Sequence, residues 1–440
     1  MADVQPFPGL RFPNDANIAD LLCPPFDIIS PDEQRELYRR SPFNIVRLEY
    51  GETSAADTPT DNRYTRAAAF LREWLESGVL VRETPPAFYV YDQGFTHQGQ
   101  YLTRQALFAR VRLHSWDEGI VRPHENTLSR PKEDRLLLLR ACRVDVSPVL
   151  GLYRDPAGDI GKTIEEARGR SPLLEAADRQ GASHRLYSIT DRTALDRIGE
   201  LFREKGIYII DGHHRYETAL AYRDERRAQS PNWTGEEGES FVLLALVARE
   251  DPGLVVLPSH RLLRTAALPA DFLARLGRTF DIDDVSGALS DGGWPAMESL
   301  LAAAAGRRGI AFAIASREPK LRLIATVRDP DQAAKLMPPG TPASWRRLDA
   351  AVLQELVLSE MLGVSEESMS SGTEPPVRFT DDGEEALRMV ESGSHALAFF
   401  LNATPAERVL EVADASERMP LKSTFFYPKL PTGLVMHPLD

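Results

Sequence analysis

Five consecutive residues, Asp211-Gly212-His213-His214-Arg215, put a carboxylate, two imidazoles and a guanidinium around one glycine. They follow Ile207–Ile210, an apolar run of strand length, and precede Tyr216, Ala219 and Leu220, whose spacing sets them on one face of a helix. A strand that turns through glycine into a helix start suits a phosphate group. Backbone and ligand can approach closely there, and the first helical N–H groups lack internal partners. Charge-assisted hydrogen bonds contribute about 1.5–3 kcal/mol each, so three or four would support micromolar nucleotide binding after association costs. The turn reads as a grip on nucleotide phosphates. Asp211 has a plain reading as the helix N-cap and a functional one, in which its carboxylate binds Mg²⁺ or a substrate hydroxyl. His213 and His214 point about 100° apart on a helix and cannot chelate one metal together. No HExxH sequence is present, which argues against a zinc enzyme.

Three further places could carry chemistry. Glu125, in Pro123-His124-Glu125, stands on a loop between an extended segment and a helix expected near Pro131, where catalytic groups are often mounted. Arg122, Lys132 and Arg135 make its surroundings cationic, so Glu125 also has a plain reading as a surface carboxylate paired with Arg122 or Lys132. His260-Arg261 is either a solvated strand end or a further anion contact. Lys422-Ser423-Thr424 matches the end of a Walker motif without its Gly-rich lead, yet a short loop with a lysine and two hydroxyls can hold phosphate.

The elements that must position these residues follow from periodicity. Amphipathic helices are expected over Arg63–Glu76, Lys162–Arg168, Thr193–Glu204 and Leu348–Leu362. Strands are expected over Ala87–Tyr91, Ala106–Leu113, Arg185–Ile189, Phe241–Ala248, Leu254–Leu257 and Ala396–Leu401, with Ile310–Ile314 and Leu321–Val327 as a pair. The Gly-rich stretch 228–239 and the polar stretch 364–376 read as loops. These elements give a mixed α/β chain in three portions: 1–100, 101–265 with Glu125 and the Asp211–Arg215 turn, and 266–440, Ala- and Leu-rich, with the Lys422 loop. The chain has 440 residues, 42% hydrophobic and 27% charged, as expected of a globular protein, and a net charge of −13 that argues against a nucleic-acid partner. Its two cysteines, Cys23 and Cys142, form no zinc-type or disulfide pattern. No apolar run reaches the roughly 18 residues of a membrane span, and a cytoplasmic location is expected.

Taken together, these stretches resemble a known set. Asp-Gly-His-His-Arg after a strand resembles the motif of the ParB/sulfiredoxin-like superfamily. Within it, free L-serine kinases combine Pro-His-Glu, Asp-Gly-His-His-Arg and a late Lys-Ser/Thr-Thr loop in this order. Over its length the chain also resembles a bacterial family known only as a domain of unknown function. That likeness rests on Pro24-Pro25-Phe26-Asp27, Pro123-His124-Glu125-Asn126-Thr127, Asp134-Arg135, Pro258-Ser259-His260-Arg261 and Met419-Pro420. The resemblance implies a ParB/sulfiredoxin-like core and phosphoryl transfer from ATP or ADP, with Mg²⁺, to a small hydroxyl compound, free L-serine being the favoured acceptor. It assigns Glu125 as general base, Asp211 as the second essential carboxylate and metal ligand, and Gly212, His213, His214, Arg215, Lys422, Ser423 and Thr424 as phosphate contacts. His124, Arg135, His260 and Arg261 are candidate substrate or phosphate contacts. The chain departs from the kinases in length, with about a hundred extra residues before Pro-His-Glu and some eighty inserted before the second motif. The first rival is a ParB-like switch that binds and hydrolyses nucleotide. A sulfiredoxin-like repair enzyme is disfavoured, since a histidine stands where its cysteine would be, and a non-catalytic binding protein is a third reading.

Overall fold

The computed structural model describes every residue except Asp15, Leu128 and the stretches 265–267, 288–292 and 371–374. The expected boundary after 265 and part of the polar stretch 364–376 lie outside the described residues. The protein is a mixed α/β fold that divides into two compact units. The first comprises Met1–Pro123, Thr127–Val255 and Pro428–Asp440; the second comprises His124–Asn126 and Val256–Tyr427.

The first unit is built on a nine-stranded mixed sheet. Its strands are β1 (Val4–Gln5), β2 (Phe88–His97), β3 (Gln100–Arg112), β4 (Val121–Pro123), β5 (Val149–Tyr153), β6 (Leu174–Ala177), β7 (Ser183–Ile189), β8 (Ile207–Asp211) and β9 (Phe241–Ala248). They run in the order β4-β8-β5-β9-β3-β2-β7-β6, with β1 paired to β3. The pairs β8–β4 and β9–β5 are parallel and the others antiparallel. The strands β2 and β3 extend well beyond the expected runs, because a Gln98-Gly99 turn with both φ angles positive (47° and 77°) matches the twist of a hairpin. Their outer ends are largely polar in sequence, with Asp92, Gln93, Thr96 and His97 on β2 and Gln100, Thr103, Arg104 and Gln105 on β3, which hid them from a hydrophobic reading even though Asp92–Phe95 are buried. Strand β6 also escaped notice; only Leu174 of its four residues is buried.

Helices α1 (Arg63–Glu76), α2 (Ser129–Cys142), α3 (Asp159–Ala167), α4 (Arg192–Phe202) and α5 (His213–Gln229) complete this unit. Ile160 and Ile164 of α3, Ile198 and Phe202 of α4, and Tyr216 and Ala219 of α5 join Val90, Leu107, Val149, Ile207, Ile209 and Leu244 of the sheet in one buried cluster. Ile207 and Ile209 share a strand face, so the period-two alternation fixes which side of β8 meets the helices. The last residues of the chain return to this unit, with Met436 bridging Leu10 and Thr432 bridging Cys23.

The second unit carries a six-stranded antiparallel sheet. Its strands are β10 (His260–Leu263), β11 (Phe280–Asp284), β12 (Ala311–Ser316), β13 (Leu321–Val327), β14 (Val377–Thr380) and β15 (Leu397–Leu401), in the order β11-β13-β12-β15-β10-β14. Residues of helices α6 (Gly293–Arg308) and α7 (Gly383–Glu391) pack on its buried face, around Leu262, Ala313, Ile324 and Phe400. The helix expected over Leu348–Leu362 begins at Asp349 and widens to π geometry over Leu353–Ser359. Among the described residues no helix is long and apolar enough to cross a membrane.

Candidate functional site

Strand β8 arrives at the Asp211 turn through a local irregularity. Its register against β5 shifts between Ile209 and Asp211, a bulge of the kind that re-aims a side chain next to a site. Gly212 follows in the left-handed region (φ 86°) and is the N-cap of α5. Asp211 is therefore not the cap, and the plain reading of this residue is set aside. A Cβ on Gly212 would lie 2.9 Å from the guanidinium of Arg215. Gly212→Ala should destabilise the fold by about 1–2 kcal/mol from backbone strain alone, with displacement of Arg215 adding to it. Urea unfolding of the variant checks this, and an unchanged midpoint would contradict it.

The Asp211 carboxylate is held between two cations. Lys429 Nζ donates to one oxygen at 2.5 Å and Arg215 Nη2 to the other at 2.8 Å. Arg215 Nη1 also donates to the carbonyl of Pro148, and its Nε is buried with no hydrogen-bond partner among the described residues. The Lys429 segment is itself fixed from the sheet. Gln93 donates to the Lys429 carbonyl at 3.3 Å, and Arg104 donates to the Pro428 carbonyl at 2.7 Å and to Gln93 Oε1 at 2.6 Å. Burial pushes the Arg104 guanidinium down to about 10, against the pull of Tyr91, Asp251 and Asp211. His213 is buried and His214 half-buried at the start of α5.

Helix α5 is anchored along its length. Tyr216 donates its hydroxyl to the His114 carbonyl at 2.9 Å and stacks on Trp116. Glu217 accepts from Thr127, Lys132 and Trp116. Arg135 is buried in a second charged group, where it donates to the Glu49 carbonyl at 2.9 Å and pairs with Asp134. Although burial opposes it, the Asp134 carboxyl stays below its ordinary range because Arg135, Tyr64 and Arg63 favour the charged form. Arg135 and Arg215 line one narrow cleft with Glu49, Ser147 and Thr218; it has about 40 Å³ of room, enough for a few waters and not for a nucleotide.

In the second unit, Glu125 meets the late loop. Glu125 forms an isolated parallel bridge with Met419, whose N–H donates to the His124 carbonyl at 2.6 Å. The Lys422 N–H donates to Glu125 Oε1 at 3.3 Å, and His124 Nε2 shares a hydrogen bond of 3.1 Å with the Thr424 hydroxyl. Ser423 is buried and donates to the Pro420 carbonyl. Lys422 has φ 53°, an uncommon conformation for a residue with a Cβ and one that clusters at functional sites. Residues about 300 positions apart in the chain are thus joined.

His260 and Arg261 are placed differently. Both are buried in β10, which removes the solvated-end reading. His260 accepts from the Leu401 N–H and sits between Trp294 and Phe400, and burial pulls its pKa down to about 3, so the ring is neutral and uncharged toward an anion. Arg261 donates to the Ser259 carbonyl.

Mg²⁺ finds no ready set of ligands here. Both oxygens of Asp211 are engaged by cations, and among the described residues no three His, Cys, Asp or Glu side chains gather as a metal site. The assignment of Asp211 as a metal ligand does not fit this arrangement. Lys429 and Arg104 were not singled out from the sequence; the only available signal was a lysine five residues beyond Thr424, between Pro428 and Pro431.

The sequence of residues 4–351 matches the family described as "Protein of unknown function (DUF1015)". No curated protein matches the sequence. Among solved structures, the chain is similar to a free serine kinase in complex with AMP, at 14% identity and a TM-score of 0.37, over 76% of this chain and 91% of that one. It is also similar to a conserved hypothetical protein from Pyrococcus furiosus (14% identity, TM-score 0.35, 74% and 93% covered). A third is SbnI with a C-terminal truncation from Staphylococcus aureus (10%, 0.36, 76% and 87%).

Proposed function

The chain belongs to the DUF1015 family, and on that premise we propose that it is a nucleotide-dependent phosphotransferase acting on the hydroxyl of a small metabolite, with free L-serine as acceptor and O-phosphoserine as product. The observation that carries this reading is the union of the Pro-His-Glu and Lys-Ser-Thr motifs, through Glu125 with Lys422 and His124 with Thr424. Two motifs matched by chance about 300 positions apart have no reason to share hydrogen bonds.

In this reading Glu125 is the general base. The backbone of Lys422 orients its carboxylate, which accepts the acceptor's hydroxyl proton as the oxygen attacks the terminal phosphorus and the bond to the nucleotide's bridging oxygen breaks. Lys422 supplies a phosphate donor beside Glu125, and the turn at Gly212, with Arg215 as its cation, is a phosphate grip by its own chemistry. Phosphoryl transfer depends on positioning and charge neutralisation more than on covalent chemistry. Asp211 holds Arg215 and Lys429 in place and is a positioning residue. Magnesium is assigned no protein ligand. The acidic net charge disfavours the nucleic-acid partner that a ParB-like clamp would use.

The rival reading, a nucleotide-hydrolysing switch, makes the opposite demand on an acceptor. Consumption of ATP and of ADP, each supplied as its magnesium salt, is measured with and without millimolar L-serine. A kinase consumes nucleotide many times faster with serine present, whereas equal rates would favour the switch and end the kinase reading.

A further inference from the structure

The second unit holds a cavity of about 370 Å³, within the size range of small-molecule sites. None of the residues discussed above as a candidate site lines it. Ile310, Leu348 and Pro405 give it apolar walls, and Arg347, Asp349, Asn402 and Arg408 add a few polar groups. Sparse, placed polarity on an apolar lining is the usual composition of a pocket for an organic ligand.

The polar groups carry the argument. Asn402 lies against Asp349, so the two side chains form one polar spot on the lining. Burial pushes the Asp349 carboxyl up to about 7, although Asn402 and the backbone at Asp349 and Ala311 draw it down. A carboxyl so placed can keep a proton and donate to a bound acid. Arg347 and Arg408 have side chains 68% and 51% exposed, and their partners Asp331 and Glu411 are exposed too. Exposed pairs of this kind hold weakly, so either guanidinium can turn to an anion. The chain leaves β15 at Leu401 and enters helix α8 (Ala406–Asp414) through Thr404 and Pro405, with no side-chain cap; that helix end favours negative charge. Asp349 opens the segment that widens to π geometry at Leu353, a feature frequent at functional sites.

We propose that this cavity binds a small organic anion, with its apolar body among Ile310, Leu348 and Pro405, its acidic group on Arg347 and Arg408, and a polar atom on the Asp349–Asn402 pair. The inference does not depend on the phosphotransferase reading.

Isothermal titration of the full chain tests it, with benzoate, hexanoate and phenyl phosphate as probes, and benzyl alcohol and inorganic phosphate as controls lacking the charge or the body. At least one organic anion should bind, about tenfold or more tighter than either control. The Arg347→Ala/Arg408→Ala double variant should lose a similar factor. Ala403→Trp, at an exposed residue lining the cavity, should abolish binding with no change in thermal unfolding. No binding by any of the three anions would overturn the proposal. So would equal affinity for benzoate and benzyl alcohol, or binding that survives in both variants.

Discussion

Glu125→Gln should slow turnover about 10²–10⁴-fold, the usual contribution of a positioned general base. Nucleotide affinity should stay within about twofold of the wild type. Glutamine keeps the shape of the side chain and an oxygen able to accept the Lys422 N–H, so the bridge to Met419 and the hydrogen bond of His124 to Thr424 should persist. What it removes is the ability to take a proton. The split between rate and affinity is what separates a base from a structural carboxylate, whose loss would loosen the Met419–Thr424 segment and weaken binding too. Steady-state rates with a direct nucleotide titration make the comparison. Retained turnover would refute the assignment.

The second large effect is expected at Asp211. Asp211→Asn leaves the guanidinium of Arg215 and the ammonium of Lys429, with side chains 10% and 16% exposed, facing a neutral amide. Breaking a buried ion pair from one side costs 3–5 kcal/mol, and the residual solvent contact here points to the low end, about 3 kcal/mol. The same change removes the negative charge between two cations and so favours an anion there. Inorganic phosphate should therefore stabilise the variant more than the wild type, by mass action on the folded state. Urea unfolding at several phosphate concentrations reads both effects. A loss below about 1 kcal/mol with no phosphate dependence would show that the contacts to Asp211 contribute little.

Much of the fold was legible because it is written in periodicity. Helix α1 runs over Arg63–Glu76 and β9 over Phe241–Ala248, as the apolar spacing indicates, and the paired strands near 310 and 321 form as an antiparallel pair. The exceptions share a cause. The outer ends of β2 and β3 are largely polar and most of β6 buries little, so backbone pairing decides their structure without leaving a hydrophobic pattern. The π segment after Asp349 interleaves Gln354 and Glu355 with buried leucines and a valine, and the spacing of its apolar residues does not distinguish one helical pitch from another.

The site was legible where chemistry is concentrated in adjacent residues. Asp211–Arg215 and Lys422–Thr424 each announce themselves as short charged runs. Lys429 does not, because its role depends on the fold bringing it to Asp211 across 218 positions. Arg104 is one of three arginines in β3, with Arg110 and Arg112, and its burial against Gln93 and Pro428 is a tertiary fact that nothing in its spacing announces. His260 shows the converse: an imidazole beside an arginine looks like an anion contact in sequence, yet aromatic packing against Trp294 and Phe400 makes it a neutral core residue.

The most direct test follows the phosphorus itself. The protein is incubated with magnesium nucleotide and L-serine, and the mixture is followed by ³¹P NMR. The account predicts that a phosphate-monoester resonance of O-phosphoserine grows as the nucleotide's terminal phosphate disappears, and that no such growth occurs with Glu125→Gln. Release of that phosphate only as inorganic phosphate, at the same rate whether or not serine is present, would contradict it.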